Sequence, residues 1–346
     1  MSLSARQIKI LEAIVTDYIK TAEPIGSRTI AKTSGLGISP ATIRNEMSDL
    51  EDMGLISQPH TSAGRVPSHR GYRFYVDSMM VARVLPAEEA LLLQRMIIDN
   101  INQMELMMQE TARTISRLTS YPAIVSEPYR KKTKIRHLQL VPVDEKSILL
   151  VLVTDSKAIK NQLVSVHASP SYEALNQLSL ALNQHLAGLS IKEINRQLID
   201  KMLDIFGVNA HALMSILGAI SDALQDEDDV RVFTSGVKNI LAFPEFADIK
   251  KAENILHALE DRGFLLKILG TAEDQKQTGI QIAIGEENTI DLLKSCSLLR
   301  ANYTIDNKNT GTIALIGPMR MDYTQGVMVL NGVLQNIQKV TAALER

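Results

Sequence analysis

Apolar positions near the start of the chain recur with a helical period. Ile8, Leu11, Val15 and Ile19 fall three or four residues apart, which lines them along one stripe of an α-helix. Ser4 supplies an N-cap, and Gln7 three residues on completes a capping box. The helix stops before Glu23-Pro24. A short second helix follows from Ser27, with Ile30 and Ala31 facing inward, and Gly35 to Ile38 makes a turn. Ser39-Pro40 then starts a third helix, because a capping serine precedes a proline at the first helical position. That helix runs to about Met53 and Gly54 ends it. Ile43, Met47 and Leu50 share its inner face, while Thr42, Arg44, Asn45 and Ser48 lie on the other.

The pattern then shortens to strand length. Leu55 to Gln58 reads as a strand, Pro59 to Gly64 as a small polar loop, and Arg65 to Pro67 as the return strand. Three helices followed by such a hairpin form a winged helix-turn-helix. Between Asp52 and Asp77 there is no acidic residue, yet Arg65, Arg70 and Arg73 occur there with His60 and His69. The whole chain has a formal net charge of -2. A basic stretch in a chain of opposite balance is the local footprint expected where phosphates are met. The candidate contact set is Ser39, Thr42, Arg44, Asn45 and Ser48 on the third helix, with Arg65 on the wing and Arg70 and Arg73 after it. These residue types reach base edges or phosphates in a major groove. The same four elements also build protein-binding modules.

Pro86 opens a long helical region in which Leu93, Ile97, Met104, Met108, Ile115 and Leu118 fit one stripe, weakened near Asp99-Asn100 so that two helices fit as well as one. The stripe suits either a dimer seam or a linker helix packed on its own domain. From Lys134 to Val166 three strand-like runs follow, and strands return at Gly279 to Ile284, Leu298 to Ile305 and Thr312 to Ile316. Three strands plus three, split by helical sequence, predict one sheet domain interrupted by another. Helices are expected from Ser190, over Asn209 to Leu224, and over Asp248 to Asp261 with a stop at Gly263; Arg231 to Thr234 reads as a short strand. A last helix from about Thr324 to Leu344 covers the sheet. The expected fold class is therefore α+β and multidomain. Its parts are a DNA-binding domain over 1–83, a helical linker over 84–120, a discontinuous antiparallel-sheet domain over 121–190 and 271–346, and an inserted, mainly helical domain over 191–270.

Composition narrows the function. The chain has 346 residues, 45% of them hydrophobic and 22% charged, as in ordinary globular domains. Its one cysteine, Cys296, excludes an internal disulfide and a four-cysteine zinc site, and suits a reducing, cytoplasmic setting. No apolar run is long enough to span a membrane, and Met1 to Lys20 is amphipathic rather than a signal peptide. There is no P-loop, G-x-S-x-G, H-E-x-x-H or C-x-x-C, so an enzyme finds no support and no cofactor or metal is expected. Asp226 to Asp229 reads as a solvated helix end.

Two blocks carry more information than periodicity. Ser39-Pro40-Ala41-Thr42-Ile43-Arg44-Asn45-Glu46-Met47, with Leu50-Glu51 and Gly54-Leu55, resembles the heat-inducible transcription repressor HrcA family. So do Gln58 through Pro67 and Gly71-Tyr72-Arg73-Phe74-Tyr75-Val76-Asp77. Phe243 to Phe246, and Ile316-Gly317-Pro318 through Met321-Asp322-Tyr323, are similar to that family too. The resemblance implies a homodimeric repressor of chaperone operons that binds double-stranded DNA at an inverted repeat, CIRCE. It implies a winged helix, a GAF-like domain and a dimerising domain inserted into the latter. It also implies that the GroEL chaperonin keeps the repressor active. Two other readings remain: a regulator whose GAF-like sheet holds a metabolite, and an adaptor whose N-terminal module binds protein beside a chaperonin.

Overall fold

The computed structural model describes residues 3–60, 63–100, 103–128, 134–155, 157–166, 171–190, 193–194, 197–200, 202, 210–228, 230–270, 279–305 and 309–344. They divide into two compact units, residues 1–128 with 231–346, and residues 129–230.

The first unit begins with the expected three helices. α1 spans Ala5–Thr21, capped by the Ser4 and Gln7 capping box. α2 spans Ser27–Thr33 and α3 spans Pro40–Asp52. The buried stripe of α1 is centred on Ile10, Leu11, Ile14 and Val15, one step round from the expected stripe, because the helix packs against several neighbours and buries a wider arc. On α3 Ile43, Met47 and Leu50 are buried as the pattern required. β1 (Ile56–Ser57) pairs antiparallel with β2 (Val66–Pro67). Thr61 and Ser62 of the expected wing loop lie outside the described residues. α4 (His69–Ser78) follows, capped by Ser68.

α5 (Ala87–Asn100) and α6 (Met104–Thr119) are the two halves of the long stripe. They pack on each other and on the last helix, and Leu93, Ile97, Met107, Met108 and Ile115 are fully buried in the same core as the winged helix. Of the two readings of this stripe, a dimer seam or a linker helix packed on its own domain, the burial is that of the second. Burial of their stripe ties them to their own unit.

β3 (Ala123–Ser126) comes next. It pairs with β7 (Val232–Ser235) on one side and β10 (Asn309–Pro318) on the other. β9 (Cys296–Ile305) and β8 (Ile280–Ile284) complete an antiparallel sheet of order β7-β3-β10-β9-β8. Two short helices, numbered α9 (Ile249–Glu260) and α10 (Arg262–Leu269), lie after β7. Gly263 does not stop the chain there: Asp261 caps α10, accepting from the Phe264 N–H, and Gly263 falls within its first turn. The final helix, α11 (Tyr323–Leu344), covers the sheet at β9 and packs on α5 and α6.

The second unit holds the three strands expected between Lys134 and Val166: β4 (Ile135–Asp144), β5 (Ser147–Thr154) and β6 (Ile159–Ser165). They form a separate sheet of order β4-β5-β6. The expected six-stranded sheet is thus corrected. The first three strands belong to the inserted unit, and their places in the larger sheet are taken by β3 and β7. The domain boundary moves with them, from 191–270 to 129–230. α7 (Tyr172–Leu186), which the sequence reading did not anticipate, runs beside β4. Asn183 and Ser179 bond the backbone of Leu138 and Leu140, so the helix covers a strand edge that would otherwise be open. α8 (Ala210–Asp228) packs on β5 and β6. The side chains of Asp226 to Asp228, and Asp229 itself, lie outside the described residues.

Among the described residues, α7 and α8 cover one face of this sheet. Leu138, Leu140, Ile148, Leu150, Leu152 and Val164 are buried with α7 and α8. The other face carries the cross-strand rows Val141–Leu149–Leu163, Gln139–Val151–Asn161 and His137–Val153–Ile159. Ile159 is 72% and Leu163 59% exposed. No helix of the described residues is long and apolar enough to cross a membrane.

Candidate nucleic-acid interface

Helix α3 is presented by its inner face. Ile43, Met47 and Leu50 anchor it against α1 and α2, which turns Arg44, Asn45 and Ser48 outward, and all three are exposed. Arg44 has no hydrogen bond or ion pair among the described residues. Ser39 and Thr42 do structural work as well. The Ser39 hydroxyl accepts from the Thr42 N–H at 3.1 Å and lies 3.0 Å from the Thr42 hydroxyl, capping the helix from outside its first turn.

A groove of about 500 Å³ runs between α3, the start of α2 and the wing. Arg28, Arg44, Met47, Gln58, Gly64 and Arg65 contribute to its walls. Two backbones meet at its floor, where Ile25 and Arg65 exchange hydrogen bonds of 3.0 and 2.9 Å. The approach requires Gly64, since a Cβ there would lie 2.4 Å from the Ile25 carbonyl carbon. Arg65 is less free than its place on the wing suggested. It is 19% exposed and pairs with Glu51 of α3 at 2.7 Å, joining the wing to the far end of that helix.

Arg70 and Arg73 are not part of this groove. Both line a second cleft, with Leu55, His69, Phe74, Asp77, Glu286 and Glu287. Arg70 is exposed. Arg73 is fully committed: its Nε donates to Glu287 Oε1 at 2.9 Å, Nη2 reaches Glu287 Oε2 and the Ile282 carbonyl, and Nη1 reaches Asp77 at 3.3 Å. The side-chain hydrogen bond to Glu287 holds the guanidinium well above its ordinary pKa. Burial would raise the Glu287 carboxyl, but the bonds from Arg73 and the Ile284 N–H outweigh it and leave its pKa lowered. The structure therefore places Arg44 and Arg65 together, and sets Arg73 apart in an ion pair.

Two groove residues escaped the sequence reading, Arg28 and Gln58. Arg28 follows Gly26-Ser27 at the head of the second helix of the motif, and a basic side chain there was the signal that could have found it. Cys296 is buried, and burial pushes its thiol up to about 11, which leaves it protonated and unreactive at neutral pH.

Residues 2–78 match the family described as the winged helix-turn-helix transcription repressor HrcA, DNA-binding. Residues 105–327 match the HrcA protein C-terminal domain. A heat-inducible transcription repressor HrcA of Lachnoclostridium phytofermentans is 39% identical over 98% of each chain, and one of Clostridium botulinum is 38% identical over 98% of each. A crystal structure titled as a hypothetical protein at 2.2 Å resolution superposes with a TM-score of 0.57 at 24% identity over 99% of each chain, a likeness of fold. With a winged helix whose exposed Arg44 lies on its third helix, and with both halves of the chain matched, the protein belongs to the HrcA family of heat-inducible transcription repressors.

Proposed function

We propose that this repressor binds, as a homodimer in the cytoplasm, an inverted-repeat operator of the CIRCE type ahead of heat-shock chaperone operons. Helix α3 of each protomer enters one major groove, with Arg44, Asn45 and Ser48 toward base edges and the Arg28–Arg65 groove following the backbone. A two-fold dimer suits an inverted repeat because protein and operator then share one symmetry. The observation that carries the reading is the exposed polar face of α3, with Arg44, which has no partner among the described residues, beside a basic groove.

The homodimer is supported by the face of β4-β5-β6 on which Leu163 and Ile159 stay exposed. Exposed apolar patches of this kind mark association sites, so Leu163→Glu should convert the dimer to monomer in sedimentation equilibrium. The GroEL chaperonin as activating partner, and a GAF-like character for the β7-β3-β10-β9-β8 domain, follow from the family resemblance.

The direct test is fluorescence anisotropy with a labelled inverted-repeat duplex and a scrambled duplex, across a salt series. Repeat-dependent binding that weakens with salt supports the reading. Equal binding of the two duplexes, with and without GroEL, would overturn it.

A further inference from the structure

Arg73 lies in the basic stretch yet contacts protein from every nitrogen. A guanidinium fork matched to both oxygens of one carboxylate fixes direction as well as distance. The carboxylate is itself held. Glu287 Oε2 accepts the Ile284 N–H at 2.9 Å, and its turn is pinned by Asn288, whose Nδ2 donates at 3.0 Å to the carbonyls of Gly285, Leu293 and Cys296. The turn sits close against α4. Gly285 has φ of 56°, and a Cβ there would come within 3.2 Å of the His69 Cβ and 2.8 Å of Met319 Sδ. A rigid socket on the sheet domain thus receives one arginine from the winged helix.

A second clamp runs the other way. Arg320, 12% exposed and just after β10, donates from Nη1 to the Ile19 carbonyl in the last turn of α1 at 3.0 Å, and from Nε to Glu245 at 2.5 Å. Between the clamps the rings of Tyr72 on α4 and Tyr323 on α11 pack at 6.0 Å. Contacts at separated points on α1 and α4 remove rotation as well as translation. Meanwhile α3 faces solvent.

We propose that Arg73 is a positioning residue for operator recognition: through Glu287 it fixes the angle at which the winged helix presents α3, and it does not contact DNA. This rests on the operator-binding reading above. Half-sites one helical turn apart demand a fixed spacing of two recognition helices, so a loosened socket lowers affinity for the correct repeat and blurs discrimination against repeats of altered spacing.

The test uses the full chain with the inverted-repeat duplex and with duplexes whose spacer is one base pair longer or shorter, each across a salt series. Arg73→Gln and Glu287→Gln should each weaken binding to the correct repeat roughly three- to thirtyfold. The double variant should be no worse than either single one, because both break one contact. The salt slope should stay unchanged, and the preference for the correct spacer should narrow. Arg73→Lys keeps the charge a phosphate would need but loses the fork, and should behave like Arg73→Gln. A circular-dichroism melt on each variant separates positioning from unfolding, and Arg73→Lys supplies the result if Arg73→Gln does not fold. The proposal is overturned if Arg73→Gln lowers the salt slope by about one while Glu287→Gln binds as wild type, the signature of a phosphate contact. It is equally overturned if neither variant changes binding. If the wild-type chain itself fails to prefer the repeat over a scrambled duplex, the operator reading falls first and takes this inference with it.

Discussion

Arg44 and Arg73 belong to the same small domain, Arg44 on the outer face of α3 and Arg73 in the basic stretch that follows the wing, yet they meet opposite fates. Arg44 stands on α3 with no partner among the described residues, beside the groove of Arg28 and Arg65. Arg73 stands on α4 with its guanidinium filled by Glu287, Ile282 and Asp77. An unpaired arginine keeps its hydrogen-bonding capacity for a ligand that arrives, whereas a paired one has spent it on the fold. Residue type and position along the sequence nominate both kinds. The carboxylate that takes both arms of the Arg73 fork, Glu287, lies more than two hundred residues away.

The comparison can be broken most forcefully at its shared frame. Leu50 is completely buried beneath α3, and Leu50→Ala should cost roughly 2–5 kcal/mol of stability, read as a lowered denaturation midpoint with binding to every duplex reduced. Next, Arg44→Ala should leave the melt intact and cost roughly 1–3 kcal/mol of operator binding, with much less loss on scrambled duplex. Equal loss on both duplexes would demote Arg44 from base reader to phosphate contact. A smaller change sharpens the middle case. Arg65 is held by Glu51 at 2.7 Å, so Glu51→Gln should free it and raise non-specific affinity by about two- to fivefold at low salt, with a steeper salt slope. No change in slope would mean that the groove wall, not the charge of Arg65, matters. The smallest effect is expected at Arg70. It lines the second cleft rather than the groove, and Arg70→Ala should alter operator affinity by less than about threefold and the salt slope by less than one.

The N-terminal elements were legible because their signals are local. The Ser4 capping box, Ser39-Pro40 and the Ile43, Met47 and Leu50 face each depend on residues a few positions apart, and each stands where the pattern put it. Most of the later strands were legible for the same reason. Their partners were not. β3 is four residues, Ala123 to Ser126, all buried, too short to alternate and easily lost after Pro122. Once it is missed, the three long strands that follow have no competitor for the larger sheet. Register between Ile124 and Thr234, or Val125 and Ile313, is long-range information that periodicity does not carry. α7 hid in the same way, its Asn183 and Ser179 spent on the backbone of a distant strand. In the winged helix, the outward face of α3 could be read from α3 alone, while the fates of Arg65 and Arg73 turned on Glu51 and Glu287.

The chain leaves the larger sheet after Ser126 and returns at Val232, and these two residues stand opposite each other in one antiparallel ladder. The inserted unit thus occupies the place of a hairpin turn. The entropy of closing such a loop grows only with the logarithm of its length, by about 0.6 kcal/mol for each doubling, and a folded insert whose ends lie close together costs less still. A change in the size or sequence of residues 129–230 therefore puts almost no strain on the β3–β7 rung. Changes of length in the inserted unit can therefore accumulate while the sheet that carries it keeps its own register.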